Sequence, residues 1–263
     1  MASEWLRSPP AGVTIAIANW NHELLLARAV ASALAGIHAL AELAIPGEVL
    51  VIDDHSRDGS VTLLRQLEAL YYGDGLRVLL HEQRNGITVT RNHALRQATY
   101  RYIVYLDADN ELSPAALPVL FRSIIDTKAA AAFGNLIAHR PDGPAMLSNE
   151  SVHGRIFMDS HIDMCALWDR LQLADKGGFE EGLTVPEDLE LVLHLVTAGC
   201  RLVFVPVVFG YHYHYASSWH NTVAVENPDY LQHLARVFDQ LDLRRQVHAN
   251  SQYLRYHPDL GYL

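Results

Sequence analysis

The chain has little of the material that builds disulfide frameworks, membrane spans or nucleic-acid surfaces. Only two of its 263 residues are cysteine. Cys165 and Cys200 lack metal-type spacing, so we expect free thiols in a reducing compartment. The longest apolar run, 202–209, is too short to span a bilayer and contains a proline. Basic residues number 20 against 30 acidic ones, a formal net charge of −10. Nonspecific nucleic-acid binding needs clustered Lys and Arg, so this balance argues against a nucleic-acid partner.

What remains is the composition of a globular protein. Hydrophobic residues make up 50% of the chain and charged residues 19%, which is enough for a sizeable core. Residues 1–11 lack the basic and apolar regions of a signal peptide. The sequence therefore predicts a soluble, cytoplasmic protein. Peripheral contact with the inner face of a membrane stays open, because an acceptor could be lipid-linked.

Strand-like and helix-like segments alternate through the first half. Short apolar, β-branched runs predict strands at 13–18, 48–52, 76–80, 102–106 and 130–136. Apolar spacing predicts helices at 23–43, 60–71 and 90–98, and one more after Ser113 and Pro114. This alternation indicates an α/β fold with a doubly wound, mostly parallel sheet flanked by helices. Ligands bind at the carboxyl ends of strands in such sheets, which selects the residues after Ala18, Ile52 and Leu106.

The second half is less regular. Residues 140–154 are rich in Pro, Gly, Ser and Asn and predict a loop; 187–198 predict a helix ended by Gly199, and 201–209 a strand. A polar amphipathic helix is expected at 228–245. We predict one domain over 1–225, with a flexible N-terminus at 1–11, and a C-terminal helix and aromatic tail over 226–263. That tail could form a homodimer interface or cover an acceptor site.

Acidic residues follow two of the selected strands. Asp107 and Asp109 can reach one cleft beyond the fourth strand, and Mg²⁺ or Mn²⁺ prefers such oxygen ligands together with phosphates. An acidic β-turn without any ligand explains the Asp-Ala-Asp sequence at 107–109 equally well. After the second strand, we assign Asp53 and Asp58 to turn or cap roles. Asp54 is the candidate to accept a hydrogen bond from a nucleobase or ribose.

Further polar residues are candidates for structural or functional roles. Asn21 is a candidate N-cap. Arg91, after the turn that contains Asn85 and Gly86, could pair with phosphate, hold the acidic loop or form a surface salt bridge. Glu187 and Asp188 could complement a helix dipole or supply a general base.

Two late histidines, His212 and His214, share a strand face, but no third ligand at a familiar spacing completes a zinc site. One histidine near a carboxylate-bound metal is the better interpretation. His22, His38, His81, His93, His139 and His194 are interpreted as surface or satisfied core residues.

At this point the ordered motifs resemble those of the family 2 glycosyltransferases with the GT-A fold. The matching segments are 13–21, 49–60, 85–94, 105–110, 177–181, 186–191 and 211–214. Each segment alone is weakly specific, but their order over most of the chain is characteristic. The resemblance implies an inverting transfer of a sugar from a nucleotide-diphosphate donor, UDP-linked by preference, to a hydroxyl-bearing glycan, glycolipid or small molecule.

The resemblance also implies roles for individual residues. Asp188, with Glu187 beside it, matches the catalytic base. Asp109 and His214 match the site of Mg²⁺ or Mn²⁺. The donor nucleotide would be bound by Ala18, Asn19, Asn21, Asp54, Asn85, Arg91 and Asp107.

Two positions depart from the family pattern, since Trp20 replaces a common tyrosine and Asn110 a common aspartate. Residues 157–175, with His161, Asp163 and Trp168, also differ and are expected to form part of the acceptor wall. Two alternatives remain: an inactive nucleotide-sugar-binding module, and a sugar nucleotidyltransferase. The second is disfavoured because the first turn lacks a Gly-rich basic loop. A dinucleotide oxidoreductase is disfavoured because no Gly-x-Gly-x-x-Gly follows an early strand.

Overall fold

The structure, a computed structural model, describes residues 9–147, 162–181, 187–214, 253–257 and 261–262, the last two ranges as backbone only. The predicted helix at 228–245 and the boundary at 225 lie outside these residues. Among the helices of the described ranges, none combines the length and apolar character needed to cross a membrane.

Strands and helices alternate through the first half, as the sequence predicted. The strands are β1 (Val13–Asn19), β2 (Gly47–Asp53), β3 (Leu76–Leu80), β4 (Tyr102–Asp107) and β5 (Glu111–Leu112). The helices are α1 (Leu26–Ala41), α2 (Ser60–Leu70), α3 (Ile87–Gln97) and α4 (Leu117–Thr127), the last preceded by a 3₁₀ turn at Pro114–Ala116.

Within the described residues, the second half contains the strands predicted at 130–136 and 201–209 and adds four that the sequence analysis missed. Its strands are β6 (Ala131–Arg140), β7 (Gly143–Leu147), β8 (Leu167–Asp169), β9 (Leu202–Tyr213), β10 (Tyr253–His257) and β11 (Gly261–Tyr262). Its helices are α5 (Arg170–Asp175) and α6 (Glu187–Thr197). The loop prediction for 140–154 is wrong over 143–147, because β7 pairs antiparallel with β6 as a hairpin.

The strands form one mixed sheet within the described residues, in the order β11-β10-β9-β6-β8-β4-β1-β2-β3. Strands β3, β2, β1 and β4 are parallel, and so are β6, β9 and β10. Strand β8 runs antiparallel between β4 and β6. Because it opposes both, the two groups point the same way and the sheet is mostly parallel.

A hydrophobic core covers each face of the sheet. On one face, Leu26, Leu64 and Leu120 represent the apolar sides of α1, α2 and α4. On the other face, Leu95 of α3 and Leu191 of α6 pack against the alternate strand residues. This alternation is the period-two pattern of strands buried on both faces. The two layers hold the strand ends rigidly where the loops emerge.

Candidate active site

Three neighbouring parallel strands end together at one edge of the sheet. Ala18 of β1 lies opposite both Ile52 of β2 and Asp107 of β4. The strand order reverses at this point, since β2 and β3 continue on one side of β1 and β4 lies on the other. Such a switch point is where doubly wound sheets bind ligands. Asn19 and Asp54 lie at the same edge.

Asn19 and Asn21 bind the turn that follows β2. Nδ2 of Asn19 donates to Oδ2 of Asp53 at 2.7 Å. The Asn21 N–H donates to Oγ of Ser56 at 2.8 Å, and Oδ1 of Asn21 accepts from the Arg57 N–H at 2.7 Å. Asp53 itself accepts from the Ser56 hydroxyl and N–H, which confirms its turn role. Asn21 is not an N-cap, because α1 begins five residues later without a side-chain cap.

Asp54 is buried and holds the turn before α3. One of its carboxylate oxygens accepts from the Asn85 N–H and the other from the Gly86 N–H, both at 2.8 Å. Gly86 has a φ of 90°, a left-handed conformation that glycine adopts without strain. Nδ1 of His81 lies 2.8 Å from the same carboxylate, and Nε2 of His81 lies 2.8 Å from Nδ1 of His93. Burial, with the charges of His81 and Arg96, lowers the pKa of His93.

The acidic turn after β4 is tied back to the sheet by Asn110. Its backbone N–H donates to the Asp107 carbonyl at 3.1 Å, and its Nδ2 lies 3.4 Å from Oδ2 of Asp107. Its Oδ1 accepts from the Tyr213 N–H of β9 at 3.1 Å. An amide can donate and accept at once, whereas an ionised aspartate only accepts. Burial, followed by the negative charge of Asp107, raises the pKa of Asp109.

Arg91 joins the acidic turn to the start of α6. Its guanidinium donates to Oε1 of Glu187 at 2.8 Å and to Oδ1 of Asp107 at 3.1 Å. Burial alone would lower the pKa of Arg91, but the carboxylates of Glu187, Asp107 and Asp188 hold it above its usual value. Of the readings considered for Arg91, holding the acidic loop is the one seen. Residues far apart in sequence therefore surround one buried cation.

His212 faces the same acidic group. Its Nε2 lies 3.4 Å from Oδ2 of Asp163, and Oδ1 of Asp163 accepts from the Cys165 N–H at 2.7 Å. Burial lowers the pKa of His212, but Asp163 foremost, with Asp107 and Asp109, raises it to about 9. For Asp163, burial acts upward and His212 acts downward, and the resulting pKa is about 2. His212 is therefore a cation at neutral pH. For His214, the backbone N–H bonds the His139 carbonyl at 2.9 Å.

One expectation about the acceptor wall needs correction. Trp168 does not line an acceptor wall, because it is fully buried in the core and its indole N–H donates to the Met164 carbonyl. His81 and His93, which the sequence analysis interpreted as surface or satisfied core residues, are part-buried and form a chain of contacts from Asp54. The signal for His81 was its position directly after β3, beside the end of β2. The expected wall residues 157–161, with His161, lie outside the described residues.

The chain belongs to glycosyltransferase family 2. The family model described as glycosyl transferase family 2 matches residues 14–169, more than half of the chain. Among curated relatives, succinoglycan biosynthesis protein ExoU of Rhizobium meliloti is 38% identical over 109 residues, 41% of this chain and 29% of that protein. ExoO of the same organism is 26% identical over 230 residues, 79% of this chain and 63% of that protein. The chain spans between 22% and 63% of the length of the curated relatives that match it first.

Solved structures show the same fold at low sequence identity. TarS of S. aureus, residues 1–349 in complex with UDP-GlcNAc, gives a TM-score of 0.72 at 17% identity, with 92% of this chain and 68% of that chain covered. A mannosyltransferase of Pyrobaculum calidifontis, in complex with GDP-Man and Mn²⁺, gives 0.62 at 19% identity, with 94% and 75% covered. These likenesses establish the GT-A fold of the chain.

Proposed function

We propose that the protein is an inverting glycosyltransferase that moves a sugar from a nucleotide-diphosphate donor to an acceptor hydroxyl. One observation carries this proposal: Arg91 bridges Asp107 at the end of β4, at 3.1 Å, and Glu187 at the start of α6, at 2.8 Å. The acidic donor turn and the candidate base, Asp188, therefore border the same cleft. Inversion follows from a single displacement at the anomeric carbon.

Asp188 is proposed as the general base. It lies on the first turn of α6, where its Oδ1 accepts from the Leu189 N–H at 2.7 Å. In the reaction, Asp188 takes the proton of the acceptor hydroxyl as that oxygen bonds to the anomeric carbon. The bond from the anomeric carbon to the diphosphate breaks with its electron pair, and the nucleoside diphosphate leaves. Glu187 is held by Arg91 and orients the start of the helix.

The carboxylate oxygens of the acidic turn suit Mg²⁺ or Mn²⁺ as ligands. Among the described residues, no group of three or more His, Cys, Asp and Glu side chains is arranged to hold a metal ion, so a cation here would share its coordination with the donor phosphates. Asp109, together with Asp107, supplies carboxylate oxygens. Burial, and then the negative charge of Asp107, raises the pKa of Asp109, and a nearby cation would act in the opposite direction. We assign Asp109 as the metal ligand, with His214 as a second candidate. Bound there, the ion would neutralise the departing diphosphate.

Asp54 is proposed to recognise the base. Each carboxylate oxygen has two lone pairs, so Asp54 retains acceptor capacity beside its bonds to Asn85, Gly86 and His81. A base that presents an N–H at this edge, as uracil and guanine do, fits better than one that presents a lone pair. Between these two, the family resemblance favours uracil, and we propose a UDP-linked donor. The nearby Ala18, Asn19 and Asn21 would border the nucleotide.

The test is a thermal-shift screen of nucleoside diphosphates and nucleotide-sugars with and without Mn²⁺, followed by nucleotide-release assays. A ligand that binds only the folded state raises the melting temperature. We expect a Mn²⁺-dependent shift with UDP that Asp109→Ala abolishes. Asp188→Asn should keep this shift but lose turnover by about 10²–10⁴-fold. A shift with GDP alone would reassign the base. Binding without turnover under any acceptor would favour an inactive module.

A further inference from the structure

A cluster behind the acidic turn connects α1, the turn and β9. We call Arg28, Glu111, Tyr213 and His139 the Arg28 cluster. Nη2 of Arg28 donates to the backbone carbonyl of Asp109 at 2.6 Å, and Nε lies 3.1 Å from Oε1 of Glu111. The Tyr213 hydroxyl donates to the same Glu111 oxygen at 2.7 Å. One guanidinium thus contacts the turn and the strand that follows it.

The aromatic rings complete the cluster. The guanidinium carbon of Arg28 lies 3.7 Å from the centroid of the Tyr213 ring, a distance at which a cation is attracted to the ring face. His139 of β6 stacks on Tyr213 with centroids 4.7 Å apart and planes at 7°. The Arg28 side chain is about one third exposed. Its hydrogen bond, ion pair and ring contact all fix the same planar group, which a lysine could not reproduce.

The hydrogen bond from Arg28 goes to the backbone carbonyl of Asp109, so it does not occupy the carboxylate oxygens. The carbonyl of Asp109 is held by Arg28, and the next residue, Asn110, is held by Asp107 and by the Tyr213 N–H. Fixing the peptide after Asp109 fixes the direction of its Cα–Cβ bond. We propose that Arg28 is a positioning residue that orients the Asp109 carboxylate for a divalent cation. This inference depends on the metal-dependent donor site of the proposed function.

The main variant is Arg28→Met. It keeps an apolar stem over Tyr213 but removes the hydrogen bond to the Asp109 carbonyl and the ion pair with Glu111. Residues that orient a metal ligand typically contribute about 10–100-fold to metal affinity, so we expect the Mn²⁺ dissociation constant to rise about 10-fold or more in the presence of UDP. Saturating Mn²⁺ should restore most of kcat. Tyr213→Phe keeps the ring and loses only the hydroxyl, so its rise should be smaller.

The matched control is Arg65→Met. Arg65 of α2 is exposed and pairs with Glu68 at 3.0 Å, away from the strand ends. The same substitution there should leave Mn²⁺ affinity unchanged. Arg28→Lys retains the charge and should fall between the wild type and Arg28→Met. If Arg28→Met does not fold, Arg28→Lys and Tyr213→Phe still separate the outcomes.

The experiment measures free Mn²⁺ by electron paramagnetic resonance during titration of each full-length variant with UDP present, beside its melting temperature. A lower melting temperature with an unchanged Mn²⁺ dissociation constant would show that Arg28 only stabilises packing, and would overturn the inference. Weaker Mn²⁺ binding in Arg28→Met but not in Arg65→Met supports it. If the wild-type protein binds no Mn²⁺ with any nucleoside diphosphate, the proposed metal site fails, and the role of Arg28 fails with it.

Discussion

Glu190 should make the stability of the protein fall as pH rises. It lies in the first turn of α6, after Glu187 and Asp188, and is only 2% exposed. Burial foremost, and then the charge of Glu180, raises the pKa of Glu190 from 4.5 to about 7. Between these values the folded protein keeps a proton that the unfolded chain has released. Stability therefore declines as pH rises through this window.

The magnitude follows from the shift. At about 1.4 kcal/mol per pH unit, the rise to about 7 corresponds to a penalty of about 3 kcal/mol once Glu190 is ionised. Nδ1 of His194 lies 3.3 Å from the Glu190 carboxyl and would reduce this penalty wherever the imidazole is protonated. The variant Glu190→Gln has no proton to lose. Its stability relative to the wild type should therefore increase from pH 5 to pH 8.

Urea unfolding at four pH values between 5 and 8 tests this expectation. Other groups titrate in both proteins, so the informative quantity is the difference in unfolding free energy between Glu190→Gln and the wild type. The same substitution at the exposed Glu82 is the control, and its difference should stay flat. A difference for Glu190→Gln that is also flat would refute the reasoning, because it would mean that burial does not retain the proton.

Three further predictions address the site itself. Arg91→Met should lower the unfolding free energy by about 1–3 kcal/mol in urea titrations, because it removes the charge-assisted hydrogen bonds to Glu187 and to the partly exposed Asp107. An effect no larger than that of Arg65→Met would contradict the role of Arg91 as a bridge. Asp54→Ala should weaken nucleotide binding, measured by calorimetry. It should also lower the unfolding free energy by about 1–3 kcal/mol for each N–H left unpaired, including that of Gly86. Unchanged nucleotide affinity would exclude Asp54 from the donor site. EDTA should abolish donor turnover in a nucleotide-release assay and Mn²⁺ should restore it, whereas turnover that persists in EDTA would remove Asp109 as a metal ligand.

Local sequence signals predicted most of the first half of the fold. Five strands and the helices between them were placed within a few residues, because apolar periodicity and turn residues agree there. The signals failed where pairing partners are distant in sequence. Strand β8 is only three residues long, and its place between β4 and β6 depends on both neighbours. The hairpin strand β7 alternates weakly and contains Gly143 and Pro144, which favoured a loop.

The positions of the site residues could be predicted from the sequence, but the contacts between their side chains could not. The carboxyl ends of β2 and β4 selected Asp54 and Asp107, because parallel strands end at one edge. The sequence left Arg91 open between phosphate, loop and surface roles, since its partner Glu187 is 96 residues away. Likewise, the contact between His212 and Asp163 joins β9 to the segment before β8. Contacts of this kind are set by tertiary packing, which local patterns do not encode.

The charges around the site argue for a cation in the reaction. Two cations at the site, Arg91 and His212, face five carboxyl side chains. These belong to Asp107, Asp109, Asp163, Glu187 and Asp188. A nucleoside diphosphate adds further negative charge, so its approach to this cleft is unfavourable without compensation. Neither Arg91 nor His212 is free to compensate it, since each already contacts a carboxylate at 3.4 Å or less. A divalent cation on Asp109 would supply the missing charge at the proposed diphosphate site.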